Sequence, residues 1–75
     1  MSFMSYSTKE IGELIRSVRK SSDITQKELA MTSGTGIRFI IELENGKETC
    51  QFGKVLRVLQ TLGIKVKFIV NENNG

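Results

Sequence analysis

The chain has 75 residues, with eleven Lys and Arg against eight Asp and Glu, one Cys, and no His, Trp or Pro. A single Cys50 excludes an internal disulfide, and without histidine it has no usual partner for a zinc site, so neither common support of a small domain is available and a second subunit remains. The net charge of +3 permits a polyanionic partner without demonstrating one, and no apolar run approaches the about 20 residues that span a bilayer.

Ser7 and Glu10 stand at capping-box spacing and predict a helix from residue 8. Ile11, Leu14, Ile15 and Val18 follow at i, i+3, i+4 and i+7 and share one face, away from Glu13, Arg16 and Lys20. Ser21, Ser22 and Asp23 end the pattern, because their side chains compete for backbone hydrogen bonds. Thr25 and Glu28 form a second capping-box pair, opening a short helix with Gln26 first and Leu29 and Ala30 as its apolar positions. Gly34 suits a left-handed cap after it. A third helix begins at Gly36, carries Ile37, Ile40 and Leu43, and stops at Asn45 and Gly46.

Thr49 is placed to cap a fourth helix bearing Phe52, Val55, Leu56, Val58, Leu59 and Leu62, a stripe wider than one small core requires, with Gly63 at its end. Residues 64–70 begin with period-two alternation and are rich in β-branched and aromatic side chains, which predicts a strand, and residues 71–75 form a polar tail. The whole of 1–75 is one domain: a helical core over 8–63, a strand over 64–70 and the tail. No other segment reads as strand, so its partner must be the same strand of a second copy, an antiparallel pair across a two-fold axis. Val55, Val58, Leu59, Leu62, Ile64, Val66 and Phe68 are the expected dimerisation residues, with Lys65 and Lys67 turned outward.

Two short helices across a tight glycine turn have the spacing of a DNA-binding helix-turn-helix, whose second helix enters the major groove. Any short helical hairpin shares that outline, and the wording of the sequence adds to it. Thr25-Gln26-Lys27-Glu28-Leu29-Ala30, then Gly34, then Ile40-Ile41-Glu42-Leu43-Glu44-Asn45-Gly46-Lys47 resembles the Xre or phage-repressor helix-turn-helix family, over residues 9 to 63. Arg38-Phe39-Ile40, the run Lys54-Val55-Leu56-Arg57-Val58-Leu59, Leu62-Gly63 and the closing strand look like HipB-type antitoxins. The fold so implied is mainly α, a lambda-repressor-like bundle with a C-terminal β-strand pairing across a dimer.

The resemblance implies that Gln26 contacts a phosphate and braces the recognition helix, that Thr35, Gly36, Ile37, Arg38 and Glu42 meet the DNA, and that Asn45 and Lys47 reach phosphates beyond that helix. It also implies an ion pair between Arg19 and Glu44, structural rather than functional. Arg38 has the donors for guanine O6 and N7, or serves as a phosphate clamp or a solvated charge. Ile37 touches a thymine methyl or simply packs. Gly36 stands where that family commonly has Ser or Thr, so a side-chain phosphate contact is absent there. Glu42 accepts from cytosine N4 or acts as a specificity filter. Cys50 reads as a small buried hydrophobe.

The function so implied is a sequence-specific repressor, the antitoxin of a HipA-like kinase toxin that autoregulates its operon, with operator DNA, a second copy and the kinase as partners. A free-standing phage-type repressor and an antitoxin acting mainly by protein–protein binding are the alternatives. There is no His for acid–base work, no P-loop and no dinucleotide-binding glycine pattern, so no enzyme, metal or cofactor is expected. One unpaired thiol and no secretory leader pattern place the expected chain in the cytoplasm, off the membrane.

Overall fold

A computed structural model describes residues 7–71. Four helices follow in order: α1 (Thr8–Ser21), α2 (Gln26–Ser33), α3 (Ile37–Glu44) and α4 (Phe52–Thr61). The outer parts of the expected domain, residues 1–6 and the tail at 72–75, lie outside the described residues.

Local chemistry sets most of the helix ends. The Ser7 hydroxyl accepts from the Glu10 amide at 3.1 Å and opens α1. At Thr25 both halves of the capping box form: Oγ1 accepts from the Glu28 amide at 3.0 Å, and the Thr25 amide donates to Glu28 Oε1 at 2.9 Å. α1 ends as Asp23 turns left-handed at φ 61°, a conformation Asp tolerates better than most residues, and the Ile24 amide folds back to the Arg19 carbonyl at 3.2 Å. Gly34, at φ 71° and ψ 31°, closes α2, and the Thr35 amide bonds to the Ala30 carbonyl at 2.9 Å. The turn into α3 is thereby fixed by the backbone itself.

The fourth helix departs from expectation: it starts at Phe52 with Gln51 as its cap, so Thr49 does not cap it. Residues 47–50 instead complete the exit from α3, where the Lys47 amide returns to the Glu42 carbonyl at 3.0 Å and Cys50 Sγ lies 3.5 Å from the Lys47 carbonyl. Capping potential at Thr49 is overridden because that chain direction is already taken.

Ile15, Leu29, Ala30, Ile40, Leu43, Val58 and Leu59 form the buried core where α3 packs on α1 and α2, and α4 on α2. Each large side chain so buried is worth about 1.5–3 kcal/mol of transfer free energy. Val58, expected at a dimer contact, is fully buried in the core instead, because α4 turns that side of its wide stripe onto α2, and Leu59 is part of the same core. Val55, Leu62 and Ile64 pack against this core half-buried.

No strand forms among the described residues, so the strand expected over 64–70 is absent from the single chain. A strand exists through its ladder, and among the described residues no second stretch forms one with this segment. Its first residue finishes α4, the Ile64 amide donating to the Leu59 carbonyl at 2.9 Å after Gly63 at φ 75°. Val66, Phe68, Ile69 and Val70 are then exposed, Phe68 at 79%. Among the described residues no helix is long and apolar enough to cross a membrane.

Candidate nucleic-acid interface

The second helix of the helix-turn-helix is held by its far end. Glu44, the last residue of α3, has a buried carboxylate that accepts from Arg19 Nε at 2.6 Å and Arg19 Nη2 at 3.0 Å. A two-point guanidinium–carboxylate pair fixes direction as well as distance. Arg19 Nη1 also donates to the Ile24 carbonyl at 2.8 Å, tying the same guanidinium to the turn before α2. Gln26, first in α2, donates from Nε2 to Glu44 Oε1 at 3.1 Å. The start of α2 and the end of α3 are thus joined through one carboxylate, and both are anchored to α1.

Gly12 makes the anchor possible. It is buried in α1, and a Cβ there would run into the Leu43 carbonyl oxygen and lie 2.8 Å from that of Glu44. Only a residue without a side chain lets α1 approach the end of α3 so closely. At the same end, Thr8 Oγ1 donates to the Gly46 carbonyl at 2.8 Å, and a Cβ on Gly46 would lie 2.9 Å from Lys9 Cα. None of these three contacts has a signature in the local pattern, since each joins residues more than thirty positions apart.

With Ile40, Leu43 and Glu44 buried, the opposite side of α3 is exposed at Ile37, Arg38 and Ile41. Arg38 has no hydrogen bond or ion pair among the described residues. Gly36, the cap of α3, has open space where a Cβ would stand and contributes no side-chain cap. The Thr35 hydroxyl is 2.9 Å from that of Ser33, so it is held at the turn. Asn45 is exposed, its amide closing α3 onto the Ile41 carbonyl at 3.1 Å. Lys47 and Glu42 pair with each other, Nζ to Oε1 at 3.2 Å, on a half-exposed surface where such a contact is worth little and exchanges easily.

Five of the expected DNA-facing residues fall into three groups. Ile37 and Arg38 share an outward face, Gln26 stands at the α2 start with its amide engaged by Glu44, and Lys47 with Glu42 forms a pair at the exit of α3. Ile41 belongs to the outward face, as expected for a position that Ile40 and Leu43 do not turn to the core, though it was not named as a DNA contact. Lys54 lies over the Phe39 ring at 5.6 Å to the centroid. Cys50 is half-buried and free.

A second surface lies away from α3. Ile11 and Leu14 of α1, Phe52 and Leu56 of α4 and the segment from Ile64 to Val70 line one open apolar groove of about 750 Å³. Val66 and Phe68 of the expected dimerisation residues line this groove. Val55, Leu59 and Ile64 of the same expected set also line it, Val58 and Leu62 do not, and Ile11, Leu14, Phe52 and Leu56 are added. Periodicity could place Ile11 and Leu14 on the apolar stripe of α1, but not decide which part of it meets the core.

The family model described as a helix-turn-helix domain matches residues 12–74. The chain is 53% identical over 60 residues to the uncharacterized HTH-type transcriptional regulator y4mF of Sinorhizobium fredii (strain NBRC 101917 / NGR234), covering 80% of this chain and 79% of that one. Among solved structures, a chain of the HipA–HipB–O2–O3 complex superposes with a TM-score of 0.81 at 22% identity, over 95% of this chain and 100% of that one. The restriction-modification controller protein C.AhdI from Aeromonas hydrophila superposes with a TM-score of 0.69 at 22% identity, over 77% of this chain and 84% of that one.

Proposed function

Because the chain belongs to the helix-turn-helix domain family, a family of regulators and not of enzymes, we propose that it is a homodimeric transcriptional repressor that binds operator DNA through α3. The observation that carries this reading is the braced outward face of α3: Arg19, Glu44 and Gln26 fix the helix from behind while Ile37 and Arg38 stand exposed in front. Such a face suits the major groove, with Arg38 donating to guanine O6 and N7. Phosphates are held by Gln26 and the α2 N-terminus on one side, and by Asn45 and Lys47 on the other. Lys47 exchanges its Glu42 partner for a phosphate, and the released carboxylate penalises sites that offer it no donor.

Two copies join through the apolar surface of Ile11, Leu14, Phe52, Leu56, Val66 and Phe68. Exposed apolar area of this extent on so small a chain supports a buried interface. Residues 64–70 gain their ladder only when the second copy supplies the facing strand. The two recognition helices then meet half-sites about 34–36 Å apart on one face of the duplex.

Within this class, the likeness to the HipB-containing complex supports an antitoxin of a HipA-like kinase that represses its own operon. The likeness to C.AhdI, a controller protein, supports a regulator without a toxin partner. Selection of bound fragments from random DNA by the purified protein, with the product of any adjacent gene added or omitted, separates them. An antitoxin returns a pseudo-palindrome that the added kinase sharpens or tightens, a free-standing regulator returns one that it leaves unchanged, and enrichment of no motif refutes operator binding.

A further inference from the structure

The recognition helix is apolar on both sides. Ile40 and Leu43 are in the core, yet Ile37 and Ile41 remain 47% and 40% exposed on the other side. Two β-branched residues on a solvated helix face are poor choices for helix stability, and neither belongs to the hydrophobic core. Spaced i and i+4, their Cβ atoms lie about 5–6 Å apart on one face. That distance spans one to two steps of about 3.4 Å along a DNA strand. Next to Ile37 stands the exposed Arg38, a cation suited to a polyanion, and the Gly36 cap adds no side chain that would hold the helix start away from a groove wall.

The major groove presents one apolar group to a side chain, the 5-methyl of thymine. We propose that Ile37 and Ile41 are specificity-determining residues that read thymine methyls at adjoining positions of each half-site, beside the guanine read by Arg38. This rests on the operator-binding reading above and commits the exposed isoleucines to DNA rather than to a protein surface.

The test uses the full chain and an operator selected from random DNA, synthesised once with thymine and once with deoxyuridine throughout both half-sites. Uracil keeps every pairing group and removes only the methyl. In fluorescence anisotropy titrations the wild-type protein loses about fourfold in affinity per methyl contact, as expected for one buried carbon, which is about fifteenfold per half-site and on the order of a hundredfold or more for the four contacts of the dimer. The variant carrying Ile37→Ala and Ile41→Ala binds both duplexes equally, with a circular dichroism spectrum and Tm like those of the wild type because both positions are exposed. Wild-type protein that prefers its operator yet binds the two duplexes alike overturns the methyl readout and leaves operator binding standing. A double variant that keeps its thymine preference but no longer captures the adjacent gene product assigns the isoleucines to a protein partner and overturns the proposal. Failure to bind any selected duplex overturns the operator reading itself, and this inference with it.

Discussion

The junction of α1 with the end of α3 is complete within the chain, whereas the C-terminal segment beyond Gly63 is completed only in the proposed dimer. At the junction every polar group is matched within the chain: Glu44 accepts from Arg19 and Gln26, Arg19 also serves the Ile24 carbonyl, and Gly12 removes the side chain that would hold the helices apart. In the C-terminal segment Val66, Phe68, Ile69 and Val70 lie exposed and no ladder forms with their backbone among the described residues. A region complete in one chain reports its damage as lost folding stability. A region completed only by a second chain reports it as lost assembly, at almost no cost to the fold.

The largest effect is expected from Arg19→Ala. It leaves the Glu44 carboxylate, 2% exposed at its side chain, without its counter-charge. Breaking one side of a buried pair costs about 3–5 kcal/mol. A domain of this size has about 3–5 kcal/mol in all, so the variant should be largely unfolded at low concentration. Urea titration followed by circular dichroism measures it. A loss below about 1 kcal/mol would place the pair with ordinary surface ion pairs and erase the contrast with residues 64–70.

Gly12→Ala comes next, at about 3 kcal/mol, the upper end of overpacking costs, because the added carbon meets backbone carbonyls that cannot rotate away. The same change at Gly53, where a Cβ has nothing within 4 Å, should cost nothing and gain a few tenths of a kcal/mol from helix propensity. Equal melting temperatures for the two variants would mean that α1 and α3 separate without loss.

These two positions mark the limit of what the sequence made legible. Helix starts at Ser7 and Thr25 and the left-handed Gly34 were readable because each rests on a bond between residues a few positions apart. Gly12 looked like any glycine in an amphipathic helix, since its reason lies at Leu43 and Glu44. The fourth helix showed a stripe of six apolar residues, but whether Val58 and Leu59 or Phe52 and Leu56 face the core depends on how α4 rolls on α2, which no local period encodes. Thr49 was misread as a cap for a related reason: the return of Lys47 to Glu42 had already committed the chain there. The alternation at 64–70 predicts a strand that does not form among the described residues, because a ladder belongs to two segments.

A substitution in the other region sharpens the comparison from the opposite side. Val66→Asp with Phe68→Asp should move the urea midpoint by the equivalent of less than about 1 kcal/mol when measured at concentrations where the wild type is also monomeric, as expected for exposed positions. In sedimentation at micromolar concentration it should nevertheless turn a dimer into a monomer, and the loss of linked half-sites should weaken operator binding far more than nonspecific binding. Truncation must begin at Val66 and not at Ile64, because the Ile64 amide closes α4 and its side chain packs on the core. A doubly substituted protein that stays fully dimeric would move the interface to Ile11, Leu14, Phe52 and Leu56 alone.

The smallest effect is expected at the cap of α3, which lies between the two regimes because it is local to one chain yet faces the proposed partner. Gly36 has extended dihedrals, φ −114° and ψ 159°, that any residue adopts, no side-chain cap bond, and open space for a Cβ. Gly36→Ser should therefore supply the missing acceptor for an early α3 amide and raise stability by a few tenths of a kcal/mol, the usual difference between Ser and Gly at a cap. Stability alone would make this an ordinary surface improvement. On operator DNA the two contributions separate, because a serine at the start of a recognition helix also offers a hydroxyl to a phosphate, which should strengthen all sequences about equally without altering the selected motif. If the variant gains stability but loses affinity on thymine and deoxyuridine duplexes alike, the bare glycine is there for close approach of the helix start to the groove wall. The departure from serine would then be a feature of the interface and not a tolerated loss.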